Sequence, residues 1–325
     1  MLNRRLVRRR VMQSLYAYEK ARSANFQLAN DLIAEAFAPD LNSMEKQDKN
    51  KLQGLVKLSQ SVFSDEEKGL SPTEQEIPQK VKVAIINARE HYKLRNKKDF
   101  DFFKQQLLID AEKVYDIYIY LLTLLVEVSS KFEADSNMRK SKVIKAIKNS
   151  KELEFQCLKR SISWENERVF VTKLYNEALK NNQHIAEFQA KANFTSVEDL
   201  SIIKYIIKNI LLKHQDSEDF FNKMSLYWYE DTEILRTMLF HSFNDFEEAG
   251  TVKIEALDHL WEETKDFMGI LFIKTHEQEK QILEILLPFL RNWEFDRIIE
   301  TDRILLKMAI AELLNFPSIP LKVTI

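Results

Sequence analysis

Residues 100–132 read FDFFKQQLLIDAEKVYDIYIYLLTLLVEVSSKF, a run rich in Tyr, Leu and Ile. Apolar residues fall on almost every side of its helical projection, which predicts a helix buried between neighbours rather than one lying on a surface. It does not read as a membrane span. The longest apolar stretch, Val114–Val128, contains Asp116 and Glu127 and is shorter than the ~20 residues a span needs. Glycine usage points to the same fold class. At the usual share of roughly 7% a chain of this length would hold about 23 glycines; this one, of 325 residues, has 4, with 6 prolines. Hairpin turns, bulges and dinucleotide-binding loops need glycine. Sheet and Rossmann-type folds are therefore disfavoured, and an all-α protein is expected.

Charge is high but balanced, 48 Lys+Arg against 50 Asp+Glu for a net charge of −2. Any contact with nucleic acid must then be local rather than a product of overall basicity. The single cysteine, Cys157, leaves no internal disulfide and no Cys-rich zinc site, and fits a reducing cytosol. The Arg-rich start is followed by Gln13, Ser14, Glu19 and Lys20 instead of an apolar core, so no export signal is read there. The expectation is a cytoplasmic protein without a membrane partner.

Helices are predicted over Arg4–Arg22, Phe26–Phe37, Phe100–Phe132, Lys140–Lys159, Asn166–Asn182, Ser196–Lys213, Asp231–Phe246, Ile254–Ile273, Glu277–Leu290 and Asp302–Leu314. Thr195 and Glu198 form a capping-box pattern, and Thr301 is a candidate N-cap. Between Asp40 and Lys98 the composition turns to Lys, Glu, Gln and Ser. Within it, Ser64–Gln79 lacks apolar periodicity and reads as a mobile loop, the expected site of proteolytic nicking. Leu321, Val323 and Ile325 alternate beyond the last predicted helix.

No constellation for catalysis emerges. There is no Gly-rich phosphate loop and no G-x-S-x-G elbow. The six histidines are dispersed, none with the Glu-x-x-His or H-E-x-x-H spacing of helical metal sites. Cys157 reads as a small buried apolar side chain on a helix rather than a nucleophile. The chain is expected to be no enzyme and to need no cofactor or metal.

The N-terminus is the informative stretch: Arg4, Arg5, Arg8, Arg9 and Arg10 precede the first acid, Glu19. At about 100° per residue, Val7, Val11, Ser14, Leu15 and Tyr18 form one stripe, facing a core. Arg5, Arg9, Gln13 and Tyr16 lie opposite, with Arg4 and Arg8 along one edge. Guanidinium groups pair with phosphates, while amide and aromatic side chains reach or stack on bases, which suits single-stranded RNA. Cations are disfavoured at a helix N-terminus, so five of them there point to a negatively charged partner. Tyr16 is open to both readings, RNA contact or core.

The order R-R-x-x-R…Q-x-L-Y at the start, with W-x-x-x-R-I…D-R-x-L-L-x-M-A-x-x-E-L-L…I-P-x-K-V-x-I at Trp293–Ile325, resembles the NusB family of transcription antitermination factors. The likeness covers Arg4 to about Arg22 and about Trp261 to Ile325. It implies an all-helical bundle that binds boxA RNA of ribosomal RNA leader transcripts beside the ribosomal protein NusE, within an antitermination complex on RNA polymerase. Carried across, the likeness matches Arg4, Arg5, Arg8, Gln13, Leu15 and Tyr16; with Arg9 added from the helical projection, RNA contact is expected at Arg4, Arg5, Arg8, Arg9, Gln13 and Tyr16, with Leu15 in the core. Arg297, Arg303 and Lys307 would extend the basic surface. Two departures stand out. Compact family members have a short connection where this chain has roughly two hundred residues, and the likeness stops at Ile325, before the helix beginning Asn-Glu that follows in the family.

The resulting division is a discontinuous NusB-like region, residues 1–38 and 226–325, around a helical insertion at 39–225. Mixed acids and bases in the insertion favour protein contact or stabilisation over RNA capture. One rival is a protein-interaction scaffold with a solvated Arg-rich start. A second is the NusB-like part of an RNA cytosine methyltransferase, against which stand the C-terminal position of the likeness and the lack of a Gly-rich strand–loop–helix unit.

Overall fold

The computed structural model describes residues 4–42, 44, 47–70, 77–257, 260–290 and 294–324, and every regular element among them is helical. α1 (Arg4–Ala36) is followed by α2 (Lys49–Glu67) and by the longest helix, α3 (Gln79–Ser129). Shorter helices follow: α4 (Asn137–Lys140), α5 (Lys142–Lys148), α6 (Lys151–Arg160), α7 (Arg168–Leu174), α8 (Gln183–Gln189), α9 (Ser196–Ile206), α10 (Gln215–Met224), α11 (Trp228–His241) and α12 (Phe246–Ala249). The chain continues through α13 (Trp261–Glu277), α14 (Glu279–Leu286), α15 (Glu300–Asn315) and α16 (Leu321–Thr324).

Two compact units share these helices. One consists of Met1–Val7 and Leu108–Lys265, the other of Arg8–Leu107 and Asp266–Ile325. Their limits cut through α1, α3 and α13 and differ from the expected bounds at residues 38 and 225. α3 explains the difference. It is a single uninterrupted helix whose first half belongs to one unit and whose second half belongs to the other.

In the first unit the second half of α3 is the core element, as its all-round apolar pattern predicts. Ile117, Tyr118, Ile119, Leu121, Leu122 and Leu124 are fully buried on it. The Ser242 hydroxyl donates to the Met238 carbonyl (3.0 Å), so the Tyr118 hydroxyl donates to Ser242 (2.7 Å) and accepts from the Glu255 amide (2.9 Å). Burial pushes the Tyr118 phenol far above its ordinary pKa, which keeps it neutral in these bonds. Buried Asp199 on α9 accepts from the Lys142 and Val143 amides (2.7 and 3.2 Å), occupying otherwise unmatched donors at the start of α5. Asn137 donates to the Phe188 and Lys191 carbonyls, each at 2.8 Å, and ties α4 to the end of α8.

In the second unit three helix segments form a dry layer: Ala29, Ile33 and Phe37 of α1, Val62 and Phe63 of α2, and Val81, Ala84, Ile85, Ala88 and Tyr92 of α3. The Phe63 ring stacks on Phe26 (5.2 Å) and meets Tyr92 edge-on (6.0 Å).

Several boundaries differ from the sequence reading. α1 runs through Arg22–Phe26 because buried Asn25 has partners there, donating to Asn96 (3.0 Å) and Asp99 (2.6 Å) on α3. The polar stretch after Asp40 holds α2, whose apolar side is only Leu55, Val56, Val62 and Phe63. Of the expected loop Ser64–Gln79, the first four residues close α2, Gly69 turns the chain at a positive φ of 75°, and 71–76 lie outside the described residues. Ser150 splits the expected helix Lys140–Lys159 by accepting from the Leu153 amide as an N-cap. α15 starts before Thr301, which therefore sits in its first turn and not at the cap. Leu321 and Val323 lie on the short helix α16 rather than in extended chain.

Phe63→Ala should lower the unfolding free energy by about 3–5 kcal/mol, through lost transfer energy and a cavity between three helices. Ile86→Ala, at a 47% exposed position of α3, should change it by about 0.5 kcal/mol or less. Urea denaturation of the two variants checks the contrast.

Candidate nucleic-acid interface

α1 separates its arginines by environment. Arg4 and Arg5 are exposed in the first turn and pair with no carboxylate among the described residues. Arg8 is turned inward. Its Nε and Nη2 donate to the two carboxylate oxygens of Glu312 on α15, at 2.7 and 2.5 Å, a bidentate pair. Glu312 is 2% exposed and also accepts from the Thr324 hydroxyl of α16 (2.7 Å). Arg8 is thus not a free guanidinium on the surface. It answers a buried carboxylate.

Further along α1, Arg9 and Gln13 are half-buried, Arg10 is buried, and Tyr16 is 37% exposed. The Tyr16 ring carries the Lys20 ammonium over its face at 5.0 Å, and Lys20 also pairs with Glu300. Val7, Val11, Leu15 and Tyr18 are buried, as the apolar stripe predicts, and Ser14, buried with them, donates to the Phe103 carbonyl at 3.1 Å.

The residues read as a basic extension have different fates. Arg297 is exposed beside Glu294 (3.0 Å), and Arg303 lies over the Phe295 ring at 5.6 Å. Lys307 corrects the sequence reading. It is 7% exposed, donates to Glu279 at 2.7 Å and lies 3.6 Å from Glu19, so it belongs to the interior and not to a basic surface. Sequence spacing missed this network. Glu19 and Glu279 also flank Arg22, at 3.3 and 3.5 Å. Burial would raise the Glu279 carboxyl, but Lys307 and Arg22 hold it below its ordinary value. Burial pushes the Tyr18 phenol up to about 12 and, with Arg22 beside it, moves the His276 imidazole down.

Around that network opens a cleft of about 380 Å³, lined among others by Arg22, Lys93, Lys97, Phe100 and His276. Elsewhere, Cys157 is half-buried, and burial raises its thiol pKa, the opposite of an activated nucleophile. Among the described residues no three His, Cys, Asp or Glu are placed to hold a metal ion, and no helix is long and apolar enough to cross a membrane.

The two kinds of arginine respond differently to removal. Arg8→Ala leaves the Glu312 carboxylate buried without its cation and should cost about 3 kcal/mol of stability. Arg5→Ala should change stability by about 0.5 kcal/mol or less. Thermal unfolding of both variants is the check, and equal losses would mean that the Arg8–Glu312 pair does not hold α1 to α15.

Residues 233–325 match the profile of the NusB family. A stretch of 62 residues is 42% identical to the transcription antitermination protein NusB of Salinibacter ruber, covering 19% of this chain and 39% of that relative's length. No solved structure matches the chain. The family match takes in α15, with Glu312 and Lys307, and does not reach α1, so the likeness at Arg4–Arg22 rests on those residues themselves. Residues 233–325 are thus similar to the NusB family, and a long additional region outside that match precedes them.

Proposed function

We propose that this protein is a non-enzymatic, cytoplasmic antitermination factor. It binds boxA-type single-stranded RNA of ribosomal RNA leader transcripts together with the ribosomal protein NusE and acts on RNA polymerase. The observation that supports this most is the pair Arg4 and Arg5, exposed at the positive end of the α1 dipole without a carboxylate among the described residues. A helix gains nothing from two cations there, whereas an RNA phosphate supplies the missing charge. Farther along the same helix, Arg9, Gln13 and the partly exposed Tyr16 offer a guanidinium, an amide and a ring. Arg8 serves the site by fixing the direction of α1, not by touching RNA.

The protein should bind a short boxA-like RNA with affinity that falls steeply as salt rises. In Arg4→Ala/Arg5→Ala the log–log salt slope should shrink by about 0.7 for each lost phosphate contact, with thermal stability retained. An unchanged slope in the folded double variant removes these residues from the interface. Absence of any salt-dependent RNA binding in the parent protein favours the protein-scaffold reading instead.

A further inference from the structure

The first half of α3 is strongly basic. Between Lys80 and Lys98 Glu90 is the one acid, against seven lysines and arginines. Most of these cations lie on the outside, but Lys93 and Lys97 line the cleft beside α1 and α13. They are one turn apart, both exposed, and neither pairs with a carboxylate among the described residues. Arg22 in the same cleft is already answered by Glu19 and Glu279. The uncompensated charge is therefore that of the two lysines, against the single carboxylate of Glu67 across the cleft.

The cleft has an apolar wall as well. Phe100 lies 4.9 Å from the His276 ring and 5.4 Å from Tyr18, and Tyr18 meets His276 edge-on at 5.1 Å. Neither ring nitrogen of His276 has a hydrogen-bond partner among the described residues, and neither is among the buried unpaired atoms. With its pKa lowered by burial and by Arg22, the imidazole is neutral near pH 7 and offers both an N–H and a lone pair. The volume, about 380 Å³, falls within the roughly 300–1,000 Å³ of small-ligand clefts.

We infer that this cleft binds a nucleoside 5′-monophosphate unit, its phosphate on Lys93 and Lys97, its base against Phe100 and His276, and its ribose hydroxyls donating to Glu67. Two ammonium groups match the charge of about −1.5 to −2 on a phosphomonoester near neutral pH. The site rests on its own residues and does not depend on RNA binding by the start of α1. The same chemistry has two sources, a free mononucleotide or the 5′-phosphorylated terminal nucleotide of an RNA.

Titration calorimetry on the full chain tests it, with UMP, AMP, inorganic phosphate and a 5′-phosphorylated single-stranded trinucleotide as probes. UMP or AMP, or the trinucleotide if the source is RNA, should bind at least about tenfold more tightly than phosphate, a difference of roughly 1.4 kcal/mol. Lys93→Gln/Lys97→Gln should weaken that binding about tenfold or more, because both charge-assisted contacts to the phosphate are lost. Phe100→Leu should weaken nucleotide binding and leave phosphate binding unchanged. Arg4→Ala/Arg5→Ala should keep mononucleotide affinity, which separates failure of this site from failure of the α1 interface. The inference is overturned if neither mononucleotide nor trinucleotide binds in the millimolar range. It is equally overturned if phosphate binds as well as nucleotide, or if the folded lysine variant binds like the parent.

Discussion

Glu312 is a carboxylate at 2% exposure, and the arrangement of the C-terminal helices follows from its need for a partner. An ionised carboxylate out of water is tolerated only when paired and hydrogen-bonded. Arg8 supplies a bidentate pair from α1, and Thr324 supplies a hydroxyl from α16. Three helices are fixed around one side chain. The same requirement orders the Arg-rich start. The arginine one turn inward is consumed by the fold, and the two before it are left at the surface.

A second group of charges works alongside it. Glu19 and Arg22 of α1 meet Glu279 of α14 and Lys307 of α15 within about a salt-bridge distance of one another. Such a cluster need not add much net stability over an apolar replacement, because desolvation offsets much of the Coulomb gain. It does impose register. Sliding α15 by one turn along α1 would strand both Glu312 and Lys307 as buried charges without counter-ions, and that penalty rejects the alternative packing. Tyr18, Phe100 and His276 sit beside this cluster, so the wall of the cleft is held by the contacts that set the helix order.

Local signals in the sequence translated well. The capping box at Thr195 is present with both hydrogen bonds, because its two partners lie three residues apart. The all-round apolar run in α3 is buried as its pattern demands, and the stripe Val7–Tyr18 faces a core. What was illegible depends on distant partners. Arg5 and Arg8 are the same residue type on one helix, and only Glu312, 304 positions away, separates their roles. Lys307 follows the spacing of a solvated position, yet two acids from other helices meet it. Asn25 is a polar residue that reads as a helix break until Asn96 and Asp99 arrive from α3. α2 has so narrow an apolar side that its composition resembles a linker, although Phe63 on it is fully buried.

Availability of a cation is therefore decided by pairing and not by composition. The chain is near neutral, and several of its basic side chains have an internal use: Arg8 holds Glu312, Arg89 holds Glu66, Arg160 holds Asp116, and Lys307 holds Glu279. An external phosphate that recruited one of these would leave a carboxylate with reduced solvation and no counter-ion, so its own attraction would be spent replacing what it removed. Arg4, Arg5, Lys93 and Lys97 carry no such obligation among the described residues. Binding an anion at these four positions breaks no internal pair among the described residues.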